Sequence, residues 1–418
     1  MLHGSEAGSR RGRSWAVMSA IALALALALT ATAAPPASAA PDAAASSPGV
    51  EGAAAARAED YWTPRRLRRA EANDPADLDE GSPTPVLDRS ALAEPIAPLG
   101  GEGAITARTV DGDRAVGKKK MTDYPYRVHG KIFGTTPGGD YSCSGTVIGS
   151  SGKNVVFTAG HCVFDRGTAQ FSTNVVFIPG YRKGKKPFGV YPASDLWALD
   201  GWRLLPDDSA AFSYDVAAIQ LDRKVERQVG SRGIKFNVKR NRTFEIFGYP
   251  SRPSPPYDGE RLIRCPKAEF VGRENDLPLE GGPVMHPSTI AGPCYMQQGS
   301  SGGGWVVGKG FVNSVVSHGY CDQVPDLCGF TLGPPFDAGA KNLYAAVGGG
   351  KRKPTDSVDC RKAKRRHAKA KRARRRAKQA YKRAKRKGSS KRGAKKRRYR
   401  QAKRRSRQTR RKLNVKGC

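Results

Sequence analysis

Histidine is scarce in this chain of 418 residues: His3, His129, His161, His286, His318 and His367 are the whole set. There is no C-x-x-C pair and no H-E-x-x-H run, so a zinc site has no support, and no metal or organic cofactor is implied. Aromatic residues make up only 8% of the chain, which predicts that part of it does not pack into a core. The longest apolar run, Trp15 to Leu29, would extend about 22 Å as a helix, short of the ~30 Å hydrocarbon core of a membrane. Anions are nearly missing from one end. Residues 351–418 hold Asp356 and Asp359 against 35 Lys and Arg, and the other 350 residues balance 38 cations with 35 anions. A nearly neutral body thus carries a polycationic tail.

Arg10, Arg11 and Arg13 precede the apolar run, and Ala37-Ser38-Ala39 follows it as an A-x-A cleavage site, so residues 1–39 read as a signal peptide. Export, with the protein secreted or held at the cell envelope, is the expected localisation. An oxidising compartment makes disulfides the default for the eight cysteines. Residues 40–120, rich in Ala, Pro, Asp and Glu and including ANDPADLDEGSPTP, are expected to form a disordered pro-segment or linker, with one helix-capable stretch at YWTPRRLRRAEA. Arg108, Arg114 and Lys118-Lys119-Lys120 offer basic processing sites at its end.

From 121 to 348 the chain consists of short β-branched runs punctuated by glycine and proline: RVHGKIFG, SGTVIG, NVVFTAG, NVVFIPG, DVAAIQL, FEIFGYP and GWVVGKGFVNSVVS. This spacing predicts an all-β domain of antiparallel strands, either two small barrels or a sandwich, with a hairpin turn at Gly308-Lys309-Gly310. Residues 349–418 form the basic tail.

GSSGG, Gly299 to Gly303, sets a serine among residues that let a backbone approach a substrate carbonyl, so N–H groups of Gly299 and Ser301 can point at one oxyanion. A hydroxyl becomes a competent nucleophile only when a base takes its proton, the role of a neutral imidazole. Of the histidines between the signal peptide and the tail, His161 alone ends an apolar run, VVFTAGH, and precedes a cysteine. Asp215 stands directly before the strand VAAIQL, and His161, Asp215 and Ser301 follow one another at spacings of 54 and 86 residues.

TAGHC, DVAAIQL and GSSGG in this order resemble the chymotrypsin-fold serine peptidases, and more closely their glutamyl-endopeptidase-like bacterial branch, in which a serine commonly precedes the nucleophile as Ser300 does. The resemblance runs over about residues 125–347 and takes in CSGTVI, FIPGYR, FGYP and YDG. It implies two antiparallel β-barrels with a cleft between them, His161 as general base, Asp215 as its orienter, Ser301 as nucleophile, and an oxyanion hole from Gly299 and Ser301. Two departures stand out. Gly304 occupies a position where the branch usually has proline, which would loosen the backbone after the nucleophile, and no IVGG start is present for a trypsin-like activation.

By the same resemblance Tyr295, Ser317 and His318 fall at the substrate pocket. Tyr295, six residues before Ser301, stands where a trypsin-type pocket has Asp and disfavours Arg or Lys before the scissile bond. His318 either meets a substrate carboxylate or is a barrel-wall residue. Cys143 with Cys162 and Cys265 with Cys294 would brace the His161 and Ser301 loops, and Cys321 would pair with Cys328, leaving Cys360 and Cys418 around the tail. Like charges four residues apart oppose helix in that tail. It is expected to be disordered in isolation and to bind polyanions such as nucleic acid, anionic lipid or cell-wall polymer, with Tyr381 and Tyr399 free to stack on bases. The whole reads as a secreted monomeric serine endopeptidase acting on peptide or protein substrates; the alternative is a polyanion-binding protein whose peptidase-like domain is inactive.

Overall fold

The β-branched runs are strands, and six of them close on themselves. In the computed structural model, which describes residues 40–47, 52–70, 73–75, 113–252, 257–280, 282–350 and 358–415, these are β3 (His129–Thr136), β4 (Gly139–Ile148), β5 (Val155–Thr158), β8 (Thr173–Pro179), β9 (Tyr191–Leu199) and β10 (Ala217–Leu221). The ladder runs β9-β10-β5-β4-β3-β8, and β8 pairs back to β9. Every pairing is antiparallel, with Ile132 opposite Cys143 on one side and Phe177 on the other. Closure removes the sheet edges, and Ile132, Phe133, Val156, Phe157, Phe177 and Ile219 are fully buried.

The second sheet is ordered β11 (Gly233–Ile234), β16 (Phe311–Val315), β15 (Gly304–Val307), β12 (Thr243–Gly248), β13 (Ile263–Arg273), β14 (Thr289–Gly292), β17 (Thr331–Gly333). With the closed barrel, this second sheet makes the all-β, two-barrel arrangement that was expected. Gly308-Lys309-Gly310 is the β15–β16 turn. The signal-peptide reading of 1–39, the processing site at Arg108 and Cys418 lie outside the described residues, and the side chain of Cys360 is likewise undescribed. Among the described residues no helix is long and apolar enough to cross a membrane.

The segment ahead of the barrels differs from the expected disorder in its described part. Strand β1 (Ala44–Ser46) pairs antiparallel with β9, and the helices Gly52–Tyr61 and Pro64–Ala70 follow. Three side chains explain why: Trp62, Leu67 and Ala70 are buried, and the Trp62 ring lies 5.4 Å from that of Phe133. Burying an aromatic of that size is worth about 2–3 kcal/mol, which a count of apolar residues alone does not reveal.

The tail also departs from expectation, forming helices Val358–Arg386 and Arg392–Val415 that pack on each other. Among the described side chains, the covered or partly covered residues of the first are His367, Ala370, Arg374, Ala377, Ala380, Tyr381 and Ala384, and of the second Lys395, Tyr399, Ala402, Lys403, Ser406 and Thr409. Most of these recur three and four residues apart, a seam in which alanines let the two helices approach around a tyrosine pair while most of the cations stay in water. Tyr381 and Tyr399 stack on each other, 6.3 Å apart and 7° from parallel, so each ring has one face engaged within the tail.

Candidate active site

His161 follows β5, Asp215 precedes β10, and these two strands are adjacent. The aspartate meets the histidine twice: Oδ1 accepts from the His161 backbone N–H at 2.8 Å, and Oδ2 lies 2.9 Å from Nδ1. Gly160 allows this approach, since a Cβ there would stand 2.9 Å from Asp215 Oδ1 and 2.7 Å from the Trp202 ring. Ser317 donates to Asp215 Oδ2 at 2.6 Å. Burial pushes the Asp215 carboxyl up, but the His161 charge, with the hydrogen bonds from His161 and Ser317, outweighs it and holds the carboxyl below its ordinary range. Asp215 therefore stays ionised and fixes the imidazole.

Ser301 comes from the loop before β15. Gly299 takes φ +83°, a left-handed conformation, and a Cβ on it would stand 2.8 Å from the Tyr249 carbonyl, so glycine is required twice over. That backbone turns the Gly299 N–H to the same side as the Ser301 hydroxyl. Both donate to one oxygen, Oδ2 of Asp74, each at 2.9 Å, and the other oxygen of Asp74 lies 3.7 Å from His161 Nε2. The three expected residues are thus brought around one small volume. Gly304 does not loosen the backbone: it is the first residue of β15, paired with Val315 and buried against Thr146, where a Cβ would meet Oγ1 at 2.7 Å.

A cavity of about 100 Å³ beside Ser301 is lined by Met296, Gln297, Val316, Ser317, His318 and Asp322 among others. Tyr295 is not on this lining. Its ring stacks on Tyr257, 5.4 Å away, which corrects its expected place in the pocket. Asp322 instead supplies a carboxylate to this lining, where Tyr295 was expected to disfavour a basic residue before the scissile bond. His318 is on the lining, but Nε2 lies 2.6 Å from Glu274 Oε1 and Nδ1 lies 2.9 Å from Ser317 Oγ. Ser317 gives its single hydroxyl proton to Asp215, so its oxygen accepts from His318, and both ring nitrogens of His318 are donors. The Glu274 carboxylate also accepts from Tyr320 and from the Ser288 backbone N–H. Burial raises the Glu274 carboxyl, and His318, Tyr320 and Ser288 outweigh it, so it lies below the ordinary range.

The sequence reading missed Asp74, Glu274 and Ser144. The Ser144 hydroxyl donates to Gly299 O at 2.8 Å and accepts from Tyr249 N–H at 3.0 Å, while its own N–H donates to Ser301 O at 2.7 Å, tying the barrel to the loop of the second sheet. Its place in CSGTVI, beside a cysteine, was the available signal. The disulfides Cys143–Cys162, Cys265–Cys294 and Cys321–Cys328 are present. The first pair flanks the His161 turn; a loop of that length contributes about 3 kcal/mol. Cysteine, histidine and aspartate side chains gather at Cys143, His161, Cys162 and at Asp113, Cys265, Cys294, but in both groups the sulfurs are consumed by disulfides.

Asp113, from the segment ahead of the barrels, lies partly buried beside the Tyr257–Tyr295 pair. It accepts from Tyr295 N–H at 2.8 Å and Tyr257 O–H at 3.0 Å, yet burial, the larger effect, pushes its carboxyl up to about 6. The folded state then keeps this proton to a higher pH than the unfolded chain, whose carboxyl titrates near ~4. Its contribution to stability is complete below that value and declines as pH rises towards about 6. Asp113→Asn removes the titration, so the variant should gain in unfolding midpoint relative to the parent across this window. A difference that stays constant with pH would refute the assignment.

A barrel closed by β3–β5 and β8–β10, a second, mostly antiparallel sheet and a His-Asp pair facing a serine loop define a chymotrypsin-like serine peptidase architecture. The chain belongs to the trypsin family, which residues 115–331 match. It is 30% identical over 191 residues to a glutamyl endopeptidase of Bacillus licheniformis, covering 43% of this chain and 57% of that one. An extracellular metalloprotease of Bacillus subtilis is 29% identical over 116 residues, with 27% and 34% covered. The chain thus spans between a third and three fifths of the length of these relatives. Among solved structures, the protease Anisep of Arthrobacter nicotinovorans superposes with TM-score 0.45 at 31% identity, covering 53% of this chain and 95% of that chain. A thermostable serine protease, AL20, from an extremophilic microorganism gives 0.43 at 32% identity, with 53% and 97% covered.

Proposed function

We propose that the chain is an exported serine endopeptidase, with Ser301 as nucleophile, His161 as general base and Asp215 as orienter. One observation carries the reading: the Gly299 N–H and the Ser301 hydroxyl converge at 2.9 Å on a single oxygen, beside a histidine already held by a buried aspartate. Such a point lies between the nucleophile and an oxyanion donor, where the reacting carbonyl group of a substrate would sit. Ser301 Oγ attacks the scissile carbonyl and passes its proton to His161 Nε2. Asp215 stabilises the imidazolium, and the N–H groups of Gly299 and Ser301 hold the oxyanion. His161 then returns the proton to the leaving amine, and water repeats the cycle on the acyl-enzyme. Titration with a serine-reactive fluorophosphonate, carried to completion on the parent and on Asp74→Ala, tests the reading: stoichiometric labelling at Ser301 is expected, and labelling nowhere in either chain would leave a polyanion-binding protein with an inactive domain.

In the substrate pocket Glu274 already supplies the counter-charge of His318. An acidic residue before the scissile bond should therefore gain little over its amide. Glu274→Gln keeps an acceptor for Nε2 but removes the charge, and should raise the ratio of kcat/KM for Glu over Gln peptides roughly tenfold. An unchanged ratio would remove His318 from the specificity of the site.

The tail is read as a polyanion anchor. Support comes from its density of outward cations and from a groove of about 720 Å³ between its helices, where Arg366, Lys369, Arg398 and Arg405 stand over Ala370 and Ala373. Paired cationic helices fit an extended anionic chain through phosphate contacts, with little dependence on base sequence.

A further inference from the structure

We propose that the segment ahead of the barrels is a built-in inhibitor, and that Asp74 is the group that closes the site. This rests on Ser301 being the nucleophile, as argued above, and concerns how that site is regulated. Asp74 lies 227 residues before Ser301, yet its carboxylate fills the volume where a reacting carbonyl would sit. Oδ2 accepts from the Gly299 N–H and from the Ser301 hydroxyl, both at 2.9 Å, and Oδ1 lies 3.7 Å from His161 Nε2.

Three consequences follow from these contacts. One donor of the oxyanion hole, the Gly299 N–H, is taken by an oxygen that already bears negative charge, so a substrate carbonyl cannot use it. The proton of Ser301 points to a carboxylate instead of to the imidazole, so the base cannot take it. The side chain also excludes the substrate sterically, since Asp74 is only 3% exposed and itself lines the cavity beside Ser301.

The carboxylate is held there by a docked surface. Trp62 Nε1 donates to Asn174 O at 2.6 Å. Asp140, at the start of β4, collects the Tyr61 hydroxyl at 2.7 Å and Arg66 at 3.1 Å. Asn73 then bridges to the site: its side chain donates to Asp140 O at 3.0 Å, and its carbonyl accepts the Ser142 N–H at 3.0 Å, one residue before the disulfide that braces His161. The residue next to Asp74 is thus fixed on the barrel wall, and the carboxylate reaches the catalytic loop from a rigid base. Separating this segment from the barrels removes the plug without any rearrangement of the loop. Activation of this kind needs no new N-terminus buried beside the nucleophile, in keeping with Ser300, which is buried and uncharged at the preceding position.

The test uses the full chain, with intact mass confirming that the segment is still attached, and reads the rate of fluorophosphonate labelling at Ser301 in the parent, Asp74→Asn and Asp74→Ala. Two charge-assisted hydrogen bonds are lost in the alanine variant, so labelling should accelerate by at least about 10²-fold, with the isosteric asparagine in between. Equal rates at Ser301 in all three chains would overturn the plug and leave the nucleophile standing. Absence of labelling at Ser301 in every chain would overturn the nucleophile, and the plug with it.

Discussion

Ser301→Ala and His161→Ala should each lower peptide hydrolysis by on the order of 10⁶ in kcat, with the fold retained. The two groups act as one unit, since the hydroxyl is inert without a base and the base has no proton to move without the hydroxyl. Neither side chain holds the barrel together: His161 and Ser301 lie at the ends of a strand and a loop whose positions are set by the Cys143–Cys162 disulfide and by Ser144. Asp215→Asn is the finer probe. The carboxylate accepts from the His161 backbone, from the His161 ring and from Ser317, and an amide can satisfy only part of that set while offering the ring the wrong tautomer. A loss on the order of 10⁴ is expected. Steady-state hydrolysis of a peptide library, with circular dichroism as the control for folding, checks all three; a variant at Ser301 that retained near-parental turnover would sink the assignment.

Truncation after Gly350 should abolish retention on DNA or on anionic vesicles while hydrolysis of a short neutral peptide stays within a few-fold. The tail removed holds 35 of the 73 cations and two of the 37 anions. For the full chain, binding should weaken by about 10³ or more between 50 and 200 mM salt if roughly six phosphates are engaged at once. Equal retention by the truncated chain would move the anchor to the body, and loss of peptide hydrolysis would make the tail part of the catalytic fold. The two helices sharpen this expectation. Their shared seam is built largely on alanine around one tyrosine pair and buries little, so mutual repulsion of the outward charges keeps the pair marginal, and an anionic chain that neutralises them should raise helix content, measurable by circular dichroism on titration with DNA.

Much of the candidate site was legible along the chain because its chemistry is carried by local patterns. A histidine between glycine and cysteine at a strand end, an aspartate opening a strand and a serine among glycines each announce a special backbone. The β-branched runs likewise read as strands because their period is local. The pairing order of the second sheet is set by contacts between distant segments and has no such signature.

What the sequence by itself determined is the family, the three residues on which catalysis is proposed to rest, the cysteine pairs and the separation of a neutral body from a cationic tail. Each follows from residue types at short range or from simple counting. Only the tertiary structure decided that Tyr295 turns away to stack on Tyr257, that Glu274 neutralises His318, that the tail cations ride on paired helices, and that Asp74 sits on the nucleophile. Asp74 lies in a run of small and acidic residues that predicts nothing but solvent, and Glu274 in a stretch equally bland. Their roles come from partners 227 and 44 residues away, brought near by burial of Trp62 in one case and by packing of the second sheet in the other. Contacts of that range are fixed by how whole elements pack, which no window of sequence contains.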